Sequence, residues 1–149
     1  MLVEAVIFVG IQGSGKSSFY QERFFRTHVR LSLDVLRTRH RERVLLHACL
    51  EAKQPFVVDN TNPRASDRAR YVELARAAGF RVVGYYFEST LGAAIGRNAR
   101  RPPAERVPAK AIGGTYKTLQ VPTLVEGFDA LYQVVLTDEG FVVWQQHQA

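Results

Sequence analysis

The sequence predicts an α/β fold, with a mostly parallel central sheet flanked by helices. Three observations lead there. Short apolar runs alternate with longer runs of helical composition. The first apolar run, Val3-Glu4-Ala5-Val6-Ile7-Phe8-Val9, is almost continuously hydrophobic, as a strand covered on both faces must be. Glycines close that run, and a segment suited to a helix follows directly.

The remaining elements follow in order. Lys16 to Thr27 suits a first helix, and the alternation in Val29-Arg30-Leu31-Ser32-Leu33 suits a second strand. Residues 35–53 are rich in Leu, Arg, Glu and Ala and lack Gly and Pro, which predicts one long helix. Pro55 breaks the chain. Phe56-Val57-Val58 reads as a short buried strand that ends at Asp59. Asn60-Thr61-Asn62-Pro63 is turn chemistry, with Asn62 expected as a helix N-cap and Pro63 as the first helical residue. That helix runs to about Ala78 and stops at Gly79. Arg81 to Phe87 is the next strand. A short helix from Leu91 to Arg100 leads into Arg101-Pro102-Pro103-Ala104-Glu105, too proline-rich to be regular, and a further helix covers Ala109 to Leu119. Tyr132 to Leu136 and Phe141 to Trp144 flank Thr137-Asp138-Glu139-Gly140, a hairpin signal.

A chain of 149 residues fits one domain spanning 1–149, and a hydrophobic fraction of 46% is ordinary for a packed core. No window approaches the roughly 20 apolar residues that cross a bilayer. The N-terminal run has no basic segment before it and reads as a strand rather than a signal peptide. Cys49 stands alone, which excludes an internal disulfide, and its apolar neighbours make it a buried small side chain. These features point to the cytoplasm and away from membranes. The net charge of +6 comes mostly from arginine, clustered at 37–43, 64–70 and 97–106. Such a surface suits a polyanion such as nucleic acid. It equally arises where arginine is simply the default solvated residue.

Gly10-Ile11-Gln12-Gly13-Ser14-Gly15-Lys16-Ser17 fits G-x-x-x-x-G-K-[ST] at every fixed position, between a buried strand and a helix. Glycines let the backbone curl so that successive N–H groups point at phosphate oxygens, and the helix N-terminus adds its positive dipole end. Gly10, Gly13, Ser14, Gly15, Lys16, Ser17 and Ser18 are therefore the expected nucleoside triphosphate cradle. Lys16 would reach the β- and γ-phosphates of ATP, and Ser17 would offer its hydroxyl to Mg²⁺. The guanine-reading N-K-x-D is absent, and no apolar run ends in Asp-Glu as in a hydrolytic motor. What remains is a P-loop kinase fold with a small arginine-bearing lid at about residues 89–108.

Asp34 follows the second strand and opens the long helix. There it suits either a base that takes the proton of an attacking hydroxyl or a plain N-cap. Arg37, three residues on, shares its face and would neutralise phosphate charge beside it. Asp59, at a strand end next to the cradle, suits water-mediated Mg²⁺ binding or a turn-stabilising role. Arg97 and Arg101 stand four apart before the proline-rich loop. They suit phosphate clamps that arrive on lid closure, or a solvated basic face.

Taken together, these residues resemble the kinase domain of polynucleotide 5′-hydroxyl kinases, including that of bifunctional polynucleotide kinase-phosphatases. The resemblance rests on Gly10 to Ser17, on Asp34-Val35-Leu36-Arg37, and on Val57-Val58-Asp59-Asn60-Thr61-Asn62-Pro63 continuing through Arg68-Ala69-Arg70-Tyr71. It extends to Arg97-Asn98-Ala99-Arg100-Arg101, similar to that family's lid, and to Tyr116 and Pro122 to Phe128. It implies a phosphotransferase that passes the γ-phosphate of ATP·Mg²⁺ to the 5′-OH end of DNA or RNA. Asp34 would be the base, Arg37 would contact the reacting phosphate, Lys16 and Ser17 would serve ATP and magnesium, and Arg101, with Arg97, would be the lid clamp. Asp59 matches an acidic position that meets metal-bound water or the acceptor. Leu33 departs from the family, which often has arginine there. The same core with other acceptor pockets also serves kinases of small alcohols, antibiotics and sugar nucleotides. A non-catalytic ATP-binding module is the remaining alternative.

Overall fold

The computed structural model describes residues 3–147. Six strands form one sheet in the order β2-β3-β1-β4-β5-β6: β1 Glu4–Val9, β2 Val29–Leu31, β3 Phe56–Val58, β4 Arg81–Phe87, β5 Ala130–Thr137 and β6 Gly140–Gln146. The first five are mutually parallel, and β6 returns antiparallel to β5 through the expected hairpin. Six α-helices accompany them: α1 Lys16–Arg23, α2 Leu33–Leu36, α3 Arg39–Ala52, α4 Ala65–Ala77, α5 Leu91–Ala99 and α6 Ala109–Thr118. Short 3₁₀ turns lie at Pro103–Glu105 and Leu124–Glu126. Of the N-terminal residues read as strand, Met1 and Leu2 lie outside the described residues.

The continuous apolarity of β1 has a direct cause. Ala5, Ile7 and Val9 face a cluster that includes Leu46, Leu50, Tyr71, Val72 and Ala75 of α3 and α4. Val6 and Phe8 face the opposite cluster, where Phe19 and Tyr20 of α1 join Phe24 and Phe87. Burial on both faces leaves no position for a polar alternation. Phe8, Phe19 and Phe87 meet edge to face at centroid separations of 4.8–6.0 Å.

Several boundaries differ from the sequence expectation. The first helix ends at Arg23, because residues 24–27 turn and the Thr27 and His28 N–H groups both return to the Phe24 carbonyl. Residues 35–53 are two helices, not one. Arg37 takes φ 71°, ψ −34°, and the Thr38 N–H bonds the Leu36 carbonyl at 2.9 Å, a γ-turn of positive φ. Thr38 then caps α3 through its hydroxyl, which accepts from the Arg41 N–H at 3.1 Å. Composition carries no sign of that break. Asn62 is not the N-cap of α4, nor Pro63 its first residue. The helix begins at Ala65, where the Asp67 carboxylate accepts the Arg64 N–H at 3.0 Å. The amide of Asn62 is instead buried and donates to the Phe8 carbonyl at 2.8 Å, joining the turn after β3 to β1. The segment expected as a lid consists of α5 and a loop that Asn98 closes, its amide bonding both the N–H and the carbonyl of Val107.

Parallel register sets the functional edge. Val58 lies opposite Ile7 on one side and Leu31 on the other, so β2 and β3 end together while β1 continues two residues further to Val9. After β1 the chain builds β2 and β3 on one side and β4 and β5 on the other. The site lies where the strand order reverses, at the carboxyl ends of the strands.

Candidate active site

The cradle follows β1 directly. Gly13 and Gly15 take φ 78° and 100°, a region that costs a side chain strain. A Cβ on Gly13 would lie 2.4 Å from the Ala94 carbonyl oxygen, so α5 seats against the loop with no space between. Arg97 donates to the Gly13 carbonyl at 2.9 Å and fixes the same contact from the lid side. The Gly10 N–H bonds the Thr61 carbonyl at 3.0 Å, which ties the loop to the turn after β3. Lys16 is buried and folds back over the loop, donating to the carbonyls of Gly10 and Ile11 at 2.9 and 2.8 Å. Burial pushes its ammonium pKa down to about 8. Asp59 opposes that shift, Arg101 adds to it and Asp34 opposes it. The Ser14 hydroxyl is buried and has no partner among the described residues, as suits an atom that awaits a phosphate oxygen.

The two candidate metal residues are in contact. The Ser17 hydroxyl donates to Asp59 Oδ2 at 3.1 Å, and Asp59 is only 4% exposed at the end of β3. The sequence places Arg30 only within a strand, yet its guanidinium bridges the two. Nε lies 2.8 Å from Asp59 Oδ2, and a terminal nitrogen lies 2.9 Å from the Ser17 oxygen. A cationic group thus stands between the two oxygens. A hard divalent cation asks for such oxygen donors, so Ser17 and Asp59 fit Mg²⁺.

Asp34 is exposed on the first turn of α2. Ser32 is the N-cap, accepting from the Asp34 N–H at 3.3 Å, so the cap role once open to Asp34 falls to its neighbour. The Leu33 N–H is bound by the Asn60 side chain at 3.0 Å. Arg37 is exposed at the strained turn. Ser18 is exposed on α1. Arg101 falls two residues beyond the end of α5, half-buried, with its carbonyl bonded by Arg106 at 2.6 Å. It therefore does not share a helical face with Arg97.

One arginine expected at a basic face is not on it. Arg68 is 0% exposed, forks onto Glu126 at 2.8 and 2.9 Å, and donates to the carbonyls of Asn62 and Gln120. Arg70 is partly turned inward, to Glu42 at 2.8 Å and the Tyr71 hydroxyl at 2.7 Å. Sequence reasoning missed Glu42, which sits inside an arginine run that reads as a solvated face. It is 2% exposed and accepts from Arg39, Asn60, Arg70 and Tyr71.

The family model described as "AAA domain" matches residues 6–122, from β1 into the segment after α6. The chain belongs to that family. A curated relative is the bifunctional polynucleotide phosphatase/kinase of Schizosaccharomyces pombe, 25% identical over 135 residues. The match covers 88% of this chain and 33% of the yeast protein, so the chain spans about a third of that relative's length. Among solved structures, Kti12 of Chaetomium thermophilum in complex with ADP-AlF3 superposes with a TM-score of 0.67 at 15% identity, covering 90% of each chain. A gluconokinase from Sinorhizobium meliloti 1021 superposes at 0.59 and 19%, covering 87% of this chain and 82% of its own. The fold is thus the P-loop kinase fold, with its sheet, cradle and following helix in the order read from the sequence. Among the described residues, no helix is long and apolar enough to cross a membrane.

Proposed function

We propose that this domain is an ATP- and Mg²⁺-dependent kinase whose acceptor is the 5′-OH end of DNA or RNA. The observation that carries the reading is the cradle itself: buried Lys16 lies across the loop, the buried Ser14 hydroxyl has no partner among the described residues, and the Ser17 hydroxyl meets Asp59 at 3.1 Å. A nucleotide cradle with a carboxylate beside its serine, an exposed carboxylate at Asp34 and an arginine at 101 are the parts that phosphoryl transfer requires. The acceptor class is supported by the relation to the yeast phosphatase/kinase and by the exposed Arg37, Arg41 and Arg64.

In this reading the N–H groups of Gly13 to Ser17 and the Lys16 ammonium hold the triphosphate, and Arg97 keeps the loop in shape. Ser17 and Asp59 hold Mg²⁺, which supplies charge neutralisation on the phosphates when bound. Asp34 accepts the proton of the attacking hydroxyl as that oxygen bonds to the γ-phosphorus and ADP leaves. Arg37 and Arg101 stabilise negative charge on the transferring group. Catalysis is mostly positioning and electrostatics.

The inward engagement of Arg68 and Arg70 favours one second reading, a small-hydroxyl acceptor such as a metabolite, nucleoside or antibiotic, because it thins the polyanion surface. The test is transfer of labelled γ-phosphate to 5′-OH oligonucleotides, DNA and RNA in parallel, across a salt series. A nucleic-acid acceptor weakens steeply with salt as counterions compete for its phosphate contacts. Lys16→Ala and Asp34→Ala should each lower kcat by about 100-fold or more. Unlabelled oligonucleotides with intact ATP binding would sink the nucleic-acid reading. Normal turnover in Asp34→Ala would remove it as the base.

A further inference from the structure

Asp34 has an exposed side chain on a helix of four residues, too short to hold itself in place. Its backbone is fixed from outside, and the chain of contacts is traceable. Asn60 follows Asp59 at the end of β3. Its side-chain oxygen accepts the Leu33 N–H at 3.0 Å, one residue before Asp34. Its side-chain nitrogen donates to Glu42 Oε2 at 2.9 Å. An Asn amide that must present its oxygen one way needs an acceptor for its nitrogen on the other. The buried Glu42 carboxylate is that acceptor, and it cannot rotate away. Its second oxygen is held by the Tyr71 hydroxyl at 2.7 Å, Arg70 at 2.8 Å and Arg39 at 3.1 Å. The two guanidiniums balance the charge that burial would otherwise penalise.

A carboxylate buried in this way is costly to retain, and its partners Arg39, Asn60, Arg70 and Tyr71 all lie outside the nucleotide cradle. Its connections run from α4 through α3 to the turn after β3, and from there to the first turn of α2. Asp59 binds the metal residue Ser17, and the next residue, Asn60, holds the base segment. One turn therefore registers the two sides of the reaction against each other.

We propose that Asn60, oriented by Glu42, is a positioning residue that sets Asp34 relative to the metal side of the site. The inference rests on the reading of Asp34 as base, and it is tested so that the two can fail separately. Asn60→Ala is made in the wild-type and Asp34→Asn backgrounds. ADP formation from ATP with Mg²⁺ is followed with and without acceptor, and amide hydrogen exchange is followed over residues 32–37. In the wild-type background kcat should fall roughly 10- to 100-fold, as expected for an ångström-scale misplacement, with KM for ATP unchanged. In the Asp34→Asn background the same change should cost less than about 2-fold, because the group it positions is gone. Exchange at residues 32–37 should quicken by about 10-fold or more, as for any amide that loses its native partner. Glu42→Gln should reproduce the exchange effect more weakly.

An equal loss of turnover in both backgrounds would overturn the proposal, because Asn60 would then act independently of Asp34. Unchanged exchange over 32–37 would overturn it as well. If Asp34→Asn alone leaves turnover intact, the base assignment fails. The exchange measurement then still decides whether Asn60 holds the segment.

Discussion

Lys16 carries the most informative single property of the site. A buried ammonium with its pKa near 8 is partly neutral just above physiological pH, and a triphosphate beside it would restore the charge. ATP binding at pH 8.5 should therefore take up a fraction of a proton, and at pH 6.5 almost none. Calorimetry in buffers of different ionisation enthalpy measures this directly. Equal proton uptake at both pH values would show that Lys16 does not meet the phosphates. The linkage with folding has a definite sign. The folded pKa lies below the unfolded value, so the unfolded chain binds more protons, and this group's contribution to stability rises between pH 8 and about 10.5. Arg30, by contrast with Lys16, has a role that appears only in three dimensions. Removing it leaves the Asp59 carboxylate with Ser17 as its one side-chain partner among the described residues. Arg30→Ala should cost about 1–3 kcal/mol without divalent cation, lowering Tm by roughly 2–4 °C per kcal/mol, and excess Mg²⁺ should narrow the gap. An identical loss with EDTA and with Mg²⁺ would argue against Asp59 as a metal residue.

At the scale of elements, the decisive feature is the break between α2 and α3. An arginine at φ 71° in a γ-turn stores strain of roughly 1–3 kcal/mol, which glycine would relieve. The sequence gives no reason for it, since residues 35–53 contain neither Gly nor Pro. The turn separates Asp34 from the rigid α3 and exposes the Arg37 side chain at the same edge. Arg37→Gly should therefore hold or raise Tm while kcat falls at least 10-fold, an opposition read by a thermal melt and a turnover assay on one preparation. Normal kcat in that variant would make the guanidinium dispensable. The segment proposed as a lid illustrates the reverse case. Its helix and its proline-rich loop were both legible, because helical composition and prolines are local signals. The seating of Ala94 on Gly13 and the Arg97 bond to the Gly13 carbonyl were not, because they join segments some 80 residues apart.

Across the whole molecule, Arg68 and Glu126 clamp the second half of the chain to the first. A fully buried guanidinium joins α4 to the carbonyls at 62, 63 and 120 and to the 3₁₀ turn that precedes β5. Arg68→Ala would strand the Glu126 carboxylate and several carbonyls. The expected loss is about 3–5 kcal/mol in denaturant unfolding, whereas Arg64→Ala, on the exposed surface, should lie within about 0.5 kcal/mol of wild type. A mild effect at Arg68 would return it to the candidate acceptor surface.

Taken by itself, the sequence determined what is written in local order. The cradle is one contiguous octapeptide, and glycine spacing, a buried strand and a following helix suffice to read it. The parallel sheet follows because β1 is apolar on both faces, and the hairpin because turn residues separate two strand-like runs. Asp34 and Asp59 were readable as candidates because they stand where strands end. Only the tertiary structure decided which arginines face solvent, which carboxylate is buried and which polar atoms meet. Arg68 and Arg64 look alike in the chain, and Glu42 looks like a surface charge among arginines. Their fates differ because burial, pairing and strain depend on neighbours brought together from distant segments, and no local pattern encodes those neighbours.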